Sequence, residues 1–133
     1  MVQEITFEVY GLPIPKGRPR FARRGKFMVA YTDGKTKNAE DDFKLQSLKY
    51  KPEFPSQSPL RLHLEFYMVK PKSKPKKITE WTTKPDIDNL QKLVMDSLNG
   101  IYWLDDSQIV ELSGIKKYGL RNHTLVKISE LIN

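Results

Sequence analysis

The chain has 133 residues, a formal net charge of +7 and no cysteine, which excludes disulfides and thiolate metal sites. With His63 and His123 as its only histidines, most zinc architectures are excluded too. No apolar run approaches the roughly 20 residues of a membrane span, and Met1-Val2-Gln3-Glu4 lacks a signal-peptide pattern, so one soluble cytoplasmic domain spanning residues 1–133 is expected.

In residues 4 to 13, EITFEVYGLP, the side chains Ile5, Phe7 and Val9 alternate with polar partners, the mark of a half-buried strand ended by Gly11 and Pro13. Residues 13 to 26 are basic and broken by proline, which predicts an irregular loop, with a short strand at Phe27 to Tyr31. A helix is predicted from Asn38, its N-cap, with Phe43, Leu45, Leu48 and Tyr50 as its apolar stripe and Pro52 as its stop. The clearest strand is PLRLHLEFYMVK, where Leu60, Leu62, Leu64, Phe66 and Met68 face one way and His63 lies on the polar face.

A second helix is predicted over Asn89 to Leu98, N-capped by Asp88 and stopped by Asn99-Gly100. Its positions Leu90, Leu93, Val94, Ser97 and Leu98 follow the helical repeat and form one face to bury. Two more strands, 108 to 118 and 124 to 131, flank the turn-like YGLRNH and are expected to form a hairpin. The order predicts a small single-domain α/β (α+β) fold, a mixed sheet with two main helices packed on it.

The charge is uneven. KGRPRFARRGK at 16 to 26 holds six basic side chains, among them Lys16, Arg18, Arg20, Arg23 and Arg24. KPKSKPKK at 70 to 77 holds five, including Lys72, Lys74, Lys76 and Lys77, and Lys84 follows. Two such runs point to a polyanionic partner, above all nucleic acid, bound through counterion release.

Against this, residues 84 to 106 gather Asp86, Asp88, Asp96, Asp105 and Asp106. Each has a plain structural account, as a helix cap, a surface pair with Lys92, or a turn. Taken together they suit a hard cation, because Mg²⁺ takes oxygen ligands and needs only a few carboxylates. Asp88, Lys92 and Asp96 are four apart and share one helix face, opposite the apolar stripe. Carboxylates, a lysine and basic loops form a coherent set for phosphodiester hydrolysis.

The stretch KPDIDNLQKLVMDSLNGIYWLDDSQIVE, with GLPIPKGRPR near the start, resembles the RusA family of Holliday junction resolvases. The resemblance implies that Asp86, Asp88 and Asp106 are metal-binding and catalytic carboxylates and that Lys92 acts in catalysis. Asp105, Asp96 and Asn89 are secondary candidates. It also implies Mg²⁺ (with Mn²⁺ as a substitute), no small-molecule cofactor, and a homodimer that nicks a four-way DNA junction symmetrically in recombination and repair. Phe21, Phe27 or Trp81 could wedge into opened base pairs at the crossover. The alternatives are a nuclease for other branched DNA, such as flaps or forks, and a non-catalytic DNA-binding module.

Overall fold

The structure, a computed structural model, describes residues 4–17, 20–31 and 34–131, and only the backbone of residues 20, 30 and 31. Its elements are β1 (Glu4–Tyr10), β2 (Arg20–Arg24), β3 (Phe27–Tyr31), α1 (Gly34–Ser47), β4 (Leu60–Val69), α2 (Ile87–Leu98), β5 (Ile109–Gly119) and β6 (His123–Glu130).

The period-2 pattern of β4 does what it predicts. Leu60, Leu62, Leu64 and Phe66 are buried against the helices, while the other face carries a polar ladder. There His63 bonds Ser113 Oγ through Nδ1 at 2.6 Å and Glu65 Oε2 through Nε2 at 2.9 Å. The α2 stripe is equally faithful, with Leu90, Leu93, Val94, Ser97 and Leu98 all buried. Phe7 and Val9 of β1 complete the inner layer with Tyr102 and Trp103, which are nearly inaccessible.

The sheet order is β1-β6-β4-β5, and it corrects the expected hairpin. β5 and β6 are not paired. β4 and β5 run parallel from Leu60↔Ile109 to Val69↔Gly119, and β6 is antiparallel to both β4 and β1. The cause is α2: a strand–helix–strand crossover returns the chain parallel to β4 on one side. β6 must then take the other side, so Leu120–Asn122 steps past the end of β4, where Asn122 Oδ1 accepts from Val69 N at 2.8 Å.

Four local expectations also need correction. Residues 20 to 24 are not irregular but pair with β3 as a two-stranded hairpin, turned at Gly25, whose φ of +61° suits glycine. Helix α1 begins at Gly34 rather than being capped at Asn38, because the buried Thr36 anchors the additional turn, its Oγ1 accepting from Gly17 N at 2.9 Å. Of the expected stripe only Phe43 is buried, whereas Leu45, Leu48 and Tyr50 are exposed. Helix α2 begins at Ile87, since Leu90 N already bonds Asp86 O at 3.2 Å; Asp88 therefore lies in the first turn and Asp86 takes the N-cap position.

Candidate active site

The register fixes where the site lies. Tyr10, Tyr67 and His123 stand side by side, so β1 and β4 finish at the same end of the sheet. Both basic segments leave from that end, and the crossover brings α2 to begin there. The exposed Asp86 and Asp88 thus share an end with Lys72, Lys76, Lys77 and Lys84, all exposed, and with the half-buried Lys74. Arg23 and Arg24 are exposed on the hairpin; Arg18 lies outside the described residues, and the side chain of Arg20 does too.

Asp86 makes no capping bond with its side chain, and Asp88 Oδ1 accepts only from the adjacent Asn89 N at 2.9 Å. Lys92 pairs forward with Asp96 Oδ1 at 3.0 Å; among the described residues no ion pair joins it to Asp88. Asp96 is shared, because its Oδ2 meets Lys16 Nζ at 3.2 Å. Lys16 also pairs with Glu40, and its backbone N donates to Asn89 O at 2.9 Å, so it clasps the N-terminal segment across α1 and α2. Partial burial pulls the Lys16 ammonium down, but hydrogen bonds from it to Glu40 and Asp96, with their charges, outweigh this and hold its pKa above the ordinary value. Lys16 therefore differs from the other basic side chains expected to meet phosphate, since its charge is already answered by two carboxylates.

Asp105 and Asp106 have separate structural duties. Asp105 N-caps a short 3-10 turn, Asp106–Gln108, accepting from Ser107 N at 3.0 Å, and these Ser107 hydrogen bonds keep its carboxyl below the usual range. Gln108 closes the turn: its Oε1 accepts from Leu104 N and Asp105 N, and its Nε2 donates to Ser56 O and Ser58 O. Asp106 Oδ1 accepts from the buried Trp103 Nε1 at 2.7 Å, which aims the carboxylate. Oδ2 of Asp106 has no protein partner among the described residues. Trp103 and Gln108, absent from the sequence-predicted site, are the residues that orient it.

This turn precedes β5, whose first residue pairs with the first residue of β4. Asp106 is therefore at the opposite end of the sheet from Asp86 and Asp88, separated by the run of the 12-residue α2, roughly 18 Å at 1.5 Å per residue. Consistently, among the described residues no three His, Asp or Glu side chains gather tightly enough to hold a metal ion. The three-carboxylate set expected from the sequence is not assembled within one chain. The donor chemistry of Asp86 and Asp88 still suits Mg²⁺, which binds through one or two carboxylates with waters and substrate phosphates.

The aromatic candidates separate. Trp81 is buried, stacked on Tyr118 at 6.2 Å between ring centroids, and cannot wedge into DNA from there. Phe21 and Phe27 remain 65% and 75% exposed on the arginine-bearing hairpin, available to a base stack.

Exchanging Lys72, Lys74, Lys76 and Lys77 for serine is expected to flatten the salt dependence of DNA binding. On duplex DNA the slope of log K against log salt should fall by about 0.9 for each phosphate no longer neutralised. An unchanged slope would mean that the loop neutralises no phosphate.

The family model "Endodeoxyribonuclease RusA" matches residues 11–129. The chain is 34% identical over 137 residues to "Uncharacterized protein YqaN" of Bacillus subtilis (strain 168), covering 96% of both. It is 32% identical over 133 residues to "Crossover junction endodeoxyribonuclease rusA" of Lactococcus phage r1t, covering 96% of this chain and 98% of the relative.

Proposed function

The chain belongs to the RusA endodeoxyribonuclease family, and on that premise we propose that it resolves four-way DNA junctions by paired symmetric nicks in recombination and repair. The observation that carries this reading is that Asp86 and Asp88 lie exposed at the end of the sheet from which both basic segments leave, with Lys92 one turn farther along α2. The alternative substrates, flaps and forks, would engage the same end. They lack the two-fold symmetry that suits a homodimer on a four-way junction.

Asp86 and Asp88 would hold Mg²⁺, or Mn²⁺ in its place. When bound, the ion would supply charge neutralisation at the scissile phosphate and a water more acidic than bulk. Lys92, kept near α2 by Asp96, would counter charge developing on the phosphoryl oxygens. The lysine-rich loop and the hairpin arginines position the backbone without reading sequence.

A homodimer also accounts for the remote Asp106. In an isologous pair, residue i of one copy meets residue j of the other, and the reverse. Such a pair can bring the Asp106 end of one protomer to the Asp86 end of its partner, so that each site draws on both chains.

Mixing tests this. Asp88→Asn and Asp106→Asn, each inactive alone, should regain junction nicking when subunits are exchanged, because the mixed dimer holds one intact composite site. Absence of rescue from a mixture shown to exchange subunits would place Asp106 outside the site or in a site made by one chain.

Lys92→Ala should lower turnover by about 10²-fold, the scale for losing one donor to developing charge. Junction affinity should hold within a few-fold. A loss confined to affinity would reassign Lys92 to the DNA-binding surface.

A further inference from the structure

Asp86 is delivered by residues 82 to 85, a mostly exposed segment between the buried Trp81 and the first turn of α2. The Asp86 side chain makes no capping bond of its own, so its direction depends on how that segment is held. Among the described residues, the hydrogen bonds that tie the segment to the sheet come from one side chain. Lys116 Nζ of β5 donates to Thr83 O at 2.9 Å and to Pro85 O at 2.7 Å.

The ammonium also lies 4.8 Å from the centroid of the Trp81 ring. Trp81 in turn stacks on Tyr118, two residues along β5 from Lys116. The lysine is thus committed to protein on each side: an aromatic face below it and two carbonyls above. Its neighbour Lys117 points away and is exposed. Nearby, Gly114 of β5 faces the first turns of α2, with the Ile87 and Gln91 side chains lying over it. The start of α2 and the strap leading into it are therefore both fitted to the same stretch of β5.

We propose that Lys116 is a positioning residue of the active site, holding the Thr83–Pro85 carbonyls so that Asp86 faces the metal and the scissile phosphate. This rests on the function proposed above. It adds that the site depends on a cation that does not itself touch DNA. Other donors would fit less well: a water could bridge the carbonyls but would not carry the charge that sits over Trp81.

The test uses Lys116→Met, which keeps the stem and removes the donors, and Lys116→Arg, which keeps two donors. Lys116→Met should remain folded and bind a four-way junction in chelator as the wild type does. It should need ~10-fold or more Mg²⁺ for half-maximal cleavage, the usual scale for losing a group that orients a metal ligand. Hydrogen exchange of the amides from Leu90 to Leu93, the first of α2 to carry helical hydrogen bonds, should quicken, while β4 and β6 stay protected. Lys116→Arg should recover most of the Mg²⁺ response.

Wild-type Mg²⁺ dependence and wild-type exchange in Lys116→Met would overturn the inference. So would uniformly faster exchange across the sheet. Should Lys116→Met fail to fold, Lys116→Gln carries the same expectations, and unfolding of both would assign Lys116 to fold stability and overturn its positioning role. A wild-type protein that cleaves no junction would instead defeat the proposed function, and the exchange result would then decide this inference alone.

Discussion

Asp86→Asn and Asp88→Asn are each expected to abolish cleavage of a four-way junction while binding survives or tightens. Both side chains are exposed, and neither holds the fold. Asp86 makes no capping bond, and Asp88 accepts only from its neighbour's N–H. Asparagine is as good a cap as aspartate, so helix α2 loses little from either change. What disappears is an anionic oxygen, which a hard cation needs and a neutral amide supplies poorly. Losing one such group should cost at least about 10²–10³-fold in rate, as for the removal of one transition-state charge stabiliser. Removing a negative charge also lowers repulsion toward DNA, hence the retained or tighter binding. Gel-shift affinity beside single-turnover cleavage separates the two effects. Cutting at the wild-type rate in both variants would remove Asp86 and Asp88 from the site.

The second large effect is on stability. Trp103→Ala should destabilise the protein by about 3–5 kcal/mol, the range for deleting a large buried aromatic. Trp103 has no accessible surface and forms β-bridges with Ser56 and Asn99. It sits where the end of α2, the turn before β5 and the segment before β4 meet. Against a usual total of about 5–15 kcal/mol, such a loss leaves little native protein on warming. Trp103→Phe keeps most of the ring but not Nε1, whose bond aims Asp106. Its stability cost should be smaller, near 1 kcal/mol for the lost hydrogen bond plus the missing ring atoms. Its cleavage rate should fall out of proportion to that cost. Denaturant midpoints for both variants, with cleavage by Trp103→Phe, check the pair. Wild-type cleavage by Trp103→Phe would mean that the Asp106 orientation does not matter.

The contrast between these two ends of α2 shows how far sequence patterns reach. The α2 stripe and the β4 alternation are readable because one face of each is buried at the expected period. The strand at Phe27–Tyr31 is legible, but its partner β2 is hidden because none of the described side chains of the pair is buried in the core; Phe21, Phe27, Met28 and Val29 stay exposed. The start of helix α1 escapes a local reading because a hydrogen bond across the fold at Thr36, rather than a cap at Asn38, sets it.

For the site, spacing on α2 correctly groups Lys92 with Asp96, and the family resemblance adds Asp106. Nothing in a linear pattern says at which end of a sheet a turn will lie, and that depends on the parallel β4–β5 pairing. Lys116 is invisible for a related reason. A lysine in KKY gives no signal until strand alternation puts it under the Thr83–Pro85 strap and its neighbour Lys117 in solvent. Asp105 and Asp106 can be told apart only because Ser107 and Trp103 bind one each.

Whether the protein is a junction-resolving nuclease is decided by cleavage of a synthetic four-way junction by the wild type, with Mg²⁺ or with chelator, beside a linear duplex of the same sequence. Symmetric nicks are expected in two opposed strands of the junction, with none in chelator and little cutting of the linear duplex. Equal cutting of duplex and junction, or junction binding with no Mg²⁺-dependent nicks, would contradict that function.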